Sequence, residues 1–157
     1  MTILFKLSFI AEVLVLGSCT NIKRDNIEYI IYGTYAGECM GHCATMYKLE
    51  KSKLFIDTTD SYFDNNGKSI TFRGDTLNKE EFLKAQVVKQ KLPELLLQSA
   101  SKEFGNPDSH DQGGIFIELK SGLNTKRFHI DTELDKIPIE LKDYAKLIMQ
   151  TTGFKTF

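Results

Sequence analysis

Along this chain the spacing of hydrophobic positions runs strands, then helix, then strands, then helix. Residues 27–35 (IEYIIYGTY) are rich in Ile and Tyr and end at Gly37, which predicts a strand with at least one buried face. In residues 45–59 Tyr47 and Leu49, then Leu54 and Ile56, alternate around a polar Glu-Lys-Ser-Lys turn, predicting a hairpin. Asn66-Gly67 lies between two further alternating segments. Both residues tolerate positive φ, so a second hairpin is expected there.

The period then lengthens. Asn78 followed by Glu81 forms a capping box, and Phe82, Leu83, Val87 and Val88 continue a helix to a break near Leu92. Pro93 opens a second helix expected to reach Phe104, with Gly105 as its stop. Residues 106–114 (NPDSHDQGG) are dense in turn formers and predict a loop. Ile115, Ile117 and Leu119, then Phe128 and Ile130, alternate as another hairpin; His129, on the opposite face, is expected to be solvated. Leu141, Tyr144, Ala145 and Ile148 fall at helical spacing in a last helix over residues 138–152, ended by Gly153. Hairpins with helices between them imply an α+β fold, an antiparallel sheet packed against two or three helices.

The first 19 residues, MTILFKLSFIAEVLVLGSC, read differently. Lys6 precedes an apolar run that closes on small residues, the pattern of a secretory signal, too short for a transmembrane helix. Glu12 interrupts the run. Leu16-Gly17-Ser18-Cys19 resembles the bacterial lipoprotein signal. The resemblance implies cleavage after Ser18, acylation of Cys19 and attachment to the membrane through that N-terminal lipid, several acyl chains being needed for firm anchoring. An ordinary buried N-terminal helix with an incidental cysteine is the other reading. The expected organisation is a signal peptide over residues 1–18, a polar tether over 19–26 and a single domain over 27–157. No later apolar stretch approaches the roughly 18 residues of a membrane span.

Composition narrows the function classes. The 157 residues carry 20 Lys plus Arg against 21 Asp plus Glu, with 41% hydrophobic residues. That is enough apolar material for one core, and the balanced charge lacks the basic footprint of a nucleic-acid binder. No nucleophile elbow, phosphate loop, zinc-protease helix or paired-carboxylate signature is present, so no enzyme activity and no cofactor is expected.

Two segments hold the candidate chemistry. With Cys19 acylated, Cys39 and Cys43 are left four positions apart in an oxidising compartment, and Gly41 permits the turn a disulfide between them needs. Alternatively, Cys39, His42, Cys43 and a thioether from Met40 or Met46 offer a soft-metal set for Cu(I) or Zn(II), or a thiol-redox pair. In the loop 106–114, Asp108 and Asp111 could join a Ca²⁺ site, or His110 and Asp108 an acid–base pair. The plainer reading is an Asx-turn loop whose carboxylates accept backbone N–H groups.

Tyr32-Gly33-Thr34, the Cys39-Met40-Gly41-His42-Cys43 run, Tyr47, Gly105-Asn106-Pro107-Asp108 and Asp111-Gln112-Gly113-Gly114 together resemble a family of small uncharacterised bacterial extracytoplasmic domains. These share a C-x-G-x-C motif and are often lipoproteins. The chain departs from the pattern at Ala44, where relatives often carry Pro, and at Asn106 and Ser109, where they often carry Cys. The resemblance implies location in the cell envelope and no particular reaction. The expectation is a lipid-anchored module that binds an envelope protein or a ligand. Its domain would stand in the periplasm or on the cell surface.

Overall fold

The computed structural model describes residues 22–57, 59–65, 68–72 and 78–154. The signal segment, Cys19 and the Asn66-Gly67 pair lie outside the described residues. Strands β1 (Tyr29–Tyr35), β2 (Ala44–Leu49), β3 (Leu54–Asp57), β4 (Glu103–Phe104), β5 (Gly114–Ser121) and β6 (Asn124–Asp131) form one sheet in the order β3-β2-β1-β5-β6-β4. All pairings are antiparallel except that of β4 with β6. Helices α1 (Lys79–Gln90), α2 (Glu94–Gln98) and α3 (Ile139–Thr152) complete an α+β arrangement.

Strand alternation sorts the core into two layers. Ile30 and Tyr32 of β1, Ile115, Ile117 and Leu119 of β5 and Phe128 and Ile130 of β6 point to the helices. There they meet Ala85, Val88, Leu96, Leu141, Tyr144 and Ile148. The Asn78 side chain accepts the Glu81 N–H at 3.0 Å, the expected N-cap of α1. Gly153, in the left-handed region at φ 68°, ends α3 where the sequence predicts.

The opposite face is buried as well. Ile31, Tyr35, Ala44, Met46 and Phe116 form a second cluster closed by Tyr62, with Ile70 and Phe72 packed on it. The turn of the hairpin expected at Asn66-Gly67 lies outside the described residues; of its arms, residues 63–65 form a 3-10 turn (Phe63–Asn65) and residues 68–72 are in no strand. Tyr62, Ile70 and Phe72 cover this face of the sheet. On the same side Glu118, also buried, accepts from the Tyr29 hydroxyl at 2.8 Å and pairs with Arg127.

Two further expectations change. The second helix stops at Gln98, because Ser99 turns extended and its Oγ accepts the Ser101 N–H. Phe104 then buries itself by pairing with Ile130. Residues 22–26 are no free tether. Ile22 and Ile27 are 4% and 3% exposed, and Arg24 donates to the Gln90 and Leu92 carbonyls at 2.6 and 2.7 Å, fastening this segment to the end of α1.

Candidate functional site

β1 ends at Tyr35 and β2 begins at Ala44, paired with each other, so residues 36–43 must turn back within one loop. Cys39 and Cys43 are joined there as a disulfide, with Cα atoms 5.6 Å apart. Gly41 takes φ 102°, a conformation a Cβ would oppose, which is how so small a ring closes. The loop is held from two sides. Asp60, itself at φ 51°, accepts from the Cys43 and Ala44 N–H groups at 3.4 and 3.2 Å. Asp108 accepts the Gly37 N–H at 3.0 Å with one carboxylate oxygen and the Gly113 N–H at 3.0 Å with the other. Asp108 thus accepts backbone N–H groups, as its loop composition predicts, but across the loop and from Gly37 rather than two residues on as in an Asx turn, and it braces the disulfide loop.

Three aromatic rings lie just beneath. The Tyr35 and Tyr62 rings stack with centroids 4.6 Å apart, and their hydroxyls face His129 Nδ1 at 3.2 and 3.4 Å. His129 is half-buried against Phe116 rather than solvated. Its burial holds the imidazole below the usual histidine range, against an opposing pull from Glu103 on the neighbouring strand. Burial likewise pushes the Tyr35 hydroxyl up to about 12, opposed by the Tyr62 hydrogen bond, and raises Tyr62. Nδ1 either accepts from one of these hydroxyls or, when protonated, donates to one, according to the tautomer of the ring.

A shallow groove of about 310 Å³ opens beside the disulfide, lined among others by Thr34, Cys39, Met40, His42, Thr152 and Phe154. The Thr34 and Thr152 hydroxyls meet across it at 3.0 Å.

The candidate residues separate in space. Cys39 and Cys43 are bonded to each other, which leaves no thiolate for a metal or for redox attack in this state. His42 points its Nδ1 at Asp60, 3.5 Å away, and Met40 is fully exposed. Asp108 spends both oxygens on backbone N–H groups, Asp111 is exposed at φ 57°, and no hydrogen bond joins the His110 ring to Asp108. Among the described residues no group of three or more His, Cys, Asp or Glu could hold a metal ion. No described helix is long and apolar enough to cross a membrane.

The sequence reading did not single out Asp60, nor join Tyr35, Tyr62 and His129. The signal for His129 lay in β5: Ile115, Phe116 and Ile117 are consecutive apolar residues, the mark of a strand buried on both faces. A residue paired opposite Phe116 is then covered too. Comparison with known proteins finds no matching family model, curated protein or solved structure.

Proposed function

We propose that the chain is a lipid-anchored protein of the cell envelope, acylated at Cys19, whose folded domain is a non-catalytic binding or interaction module. The Cys39–Cys43 disulfide carries this reading, because such bonds persist in oxidising compartments and are rare in reducing ones. It agrees with Lys6, the apolar run and Leu16-Gly17-Ser18-Cys19 in signal order, and with the family resemblance. The disulfide end is the binding end in this reading. There a rigid sheet presents loops fixed by Asp60 and Asp108, the arrangement in which recognition residues collect, with Met40 and His42 exposed beside the groove.

Mass spectrometry of the native protein tests the proposal. The expected result is an N-terminal Cys19 carrying acyl chains and two blocked thiols at Cys39 and Cys43. Cys19→Ala should leave an unprocessed or soluble species. An intact Met1 terminus, with fractionation unchanged by that substitution, would overturn the anchor. Free thiols holding a metal would turn the reading towards soft-metal or thiol-redox handling.

A further inference from the structure

We infer that the end of the sheet around Ile22 is a docking surface for anionic lipid headgroups, an inference that rests on acylation of Cys19. Only Thr20 and Asn21 separate Cys19 from Ile22, and an extended chain spans at most about 3.6 Å per residue, so Ile22 lies within about 11 Å of the acylated residue. Ile22 is itself buried in the core and Arg24 is tied to the end of α1, so no slack follows. The domain is held against the bilayer by this end.

Strand register defines what else stands there. Tyr29 pairs with Lys120, Ile30 with Leu49 and Ser121 with Asn124, which brings the turn at residues 50–53 and the turn at Gly122-Leu123 beside the entry of the chain. Lys23, Lys51 and Lys53 are exposed and in no ion pair among the described residues. Of the nearby carboxylates Glu50 is paired with Lys48, while Glu28, which accepts the Gly122 N–H, and the exposed Asp25 keep their charge. Leu123, at the tip of the β5–β6 hairpin, is 99% exposed. An apolar tip among lysines suits the boundary between headgroups and acyl chains. Glu38, Asp60, Asp108 and Asp111 lie towards the far end of the strands, where β1 meets the start of β5 and Glu133 is paired with Lys136. An anionic surface therefore attracts one end and repels the other. Each lysine held at such a surface favours this orientation by about fivefold.

Lysine footprinting of the native lipidated protein tests this. The protein is reconstituted into phosphatidylcholine vesicles with or without phosphatidylglycerol, treated with an amine acetylating reagent and read by mass spectrometry. Lys51 and Lys53 should react at least about fivefold more slowly in the anionic vesicles, the protection should fall in high salt, and Lys136 should react equally in both. Lys51→Glu with Lys53→Glu should abolish the protection of Lys23. Flotation of the same samples reports the anchor separately. Protein that floats but labels alike in both lipids overturns the surface and leaves the anchor standing. Protein that does not float and carries an unmodified Cys19 overturns the anchor and the surface with it. Protection already complete in neutral vesicles overturns the role of lipid charge.

Discussion

At the Ile22 end of the sheet, cations close off backbone carbonyls: Arg24 on Gln90 and Leu92, Lys89 on Ile27, Lys126 on Leu97 and Ser99. At the disulfide end, carboxylates close off backbone N–H groups. Asp57 holds Thr59 and Ser61, Asp60 holds Cys43 and Ala44, Asp108 holds Gly37 and Gly113, and Asp131 holds Asn106 and Glu133. Both devices answer one requirement, that main-chain polar groups freed from ladders find partners. They differ in what disturbs them. Carboxylates take up protons in acid, whereas Lys and Arg keep their charge to far above neutrality. Acid should loosen the turn held by Asp57 while the contacts of Arg24 and Lys89 persist.

The largest effect falls on Asp57, which is buried and accepts from the N–H and hydroxyl of both Thr59 and Ser61 at 2.8 Å. Desolvation raises its pKa, but these four hydrogen bonds outweigh it and hold the carboxyl below its ordinary 3.8. A depressed carboxyl contributes stability that is present above the ordinary value and lost as pH falls through the folded one. Asp57→Ala should cost about 3 kcal/mol in urea denaturation at neutral pH and flatten the loss of stability below pH 3.8. An unchanged acid limb would break the comparison at this point.

Next comes the disulfide. Cys39→Ser with Cys43→Ser should cost about 2 kcal/mol, the loop-entropy value for so short a ring. EDTA should leave the wild-type melting midpoint where it is. A large downward shift in EDTA would mean that metal binding energy is folding energy here.

Arg24→Ala should cost about 1.5 kcal/mol, since two carbonyls lose a charged donor. Hydrogen exchange sharpens this: amides near residues 22–27 and 88–92 should exchange faster, with residues 105–114 unchanged. Equal acceleration at both ends would show that they are not independent.

The smallest effect is expected at His129. Burial lowers its pKa, so the folded state prefers the neutral ring. That contribution is complete above the ordinary value of 6.5 and is lost as pH falls through the folded one. His129→Gln should remove a shallow slope in stability just below pH 6.5, read from unfolding midpoints in that region. A slope equal to the wild type would assign it to other groups.

Local pattern carried much of the fold. Asn78 with Glu81, Gly153, the polar turn before Leu54 and the alternation through Ile115 and Phe128 each act within a few residues, so each was readable. What escaped depends on partners distant in the chain. Phe104 leaves a helical pattern because Ile130 waits on β6, and Tyr62 covers Tyr35 and Phe116, far from it in the chain. The disulfide pair was legible from spacing, but its brace from Asp108 joins residues 37 and 108, which no local pattern connects. Nor does a total of 20 positive and 21 negative side chains betray that Arg127 stands opposite Glu118. Register does that, and register is a property of the assembled sheet.

The place of β1 in the strand order bears on how the chain assembles in time. Tyr35 meets Ala44 across one short loop, but meets Gly114 only after α1 and α2 have intervened. Closing the longer connection costs about 2 kcal/mol more in chain entropy, since each doubling of loop length adds roughly 0.6 kcal/mol. The β1-β2-β3 meander can therefore form early, and docking of β5 on β1 sets the pace of folding. Until then β1 shows a row of unpaired N–H and C=O groups flanked by Ile30, Ile31 and Tyr32, a template for any other extended chain. The disulfide, confined to the short loop, does nothing to shorten that wait. Refolding yield should therefore fall as protein concentration rises, to the same degree in oxidising and in reducing buffer.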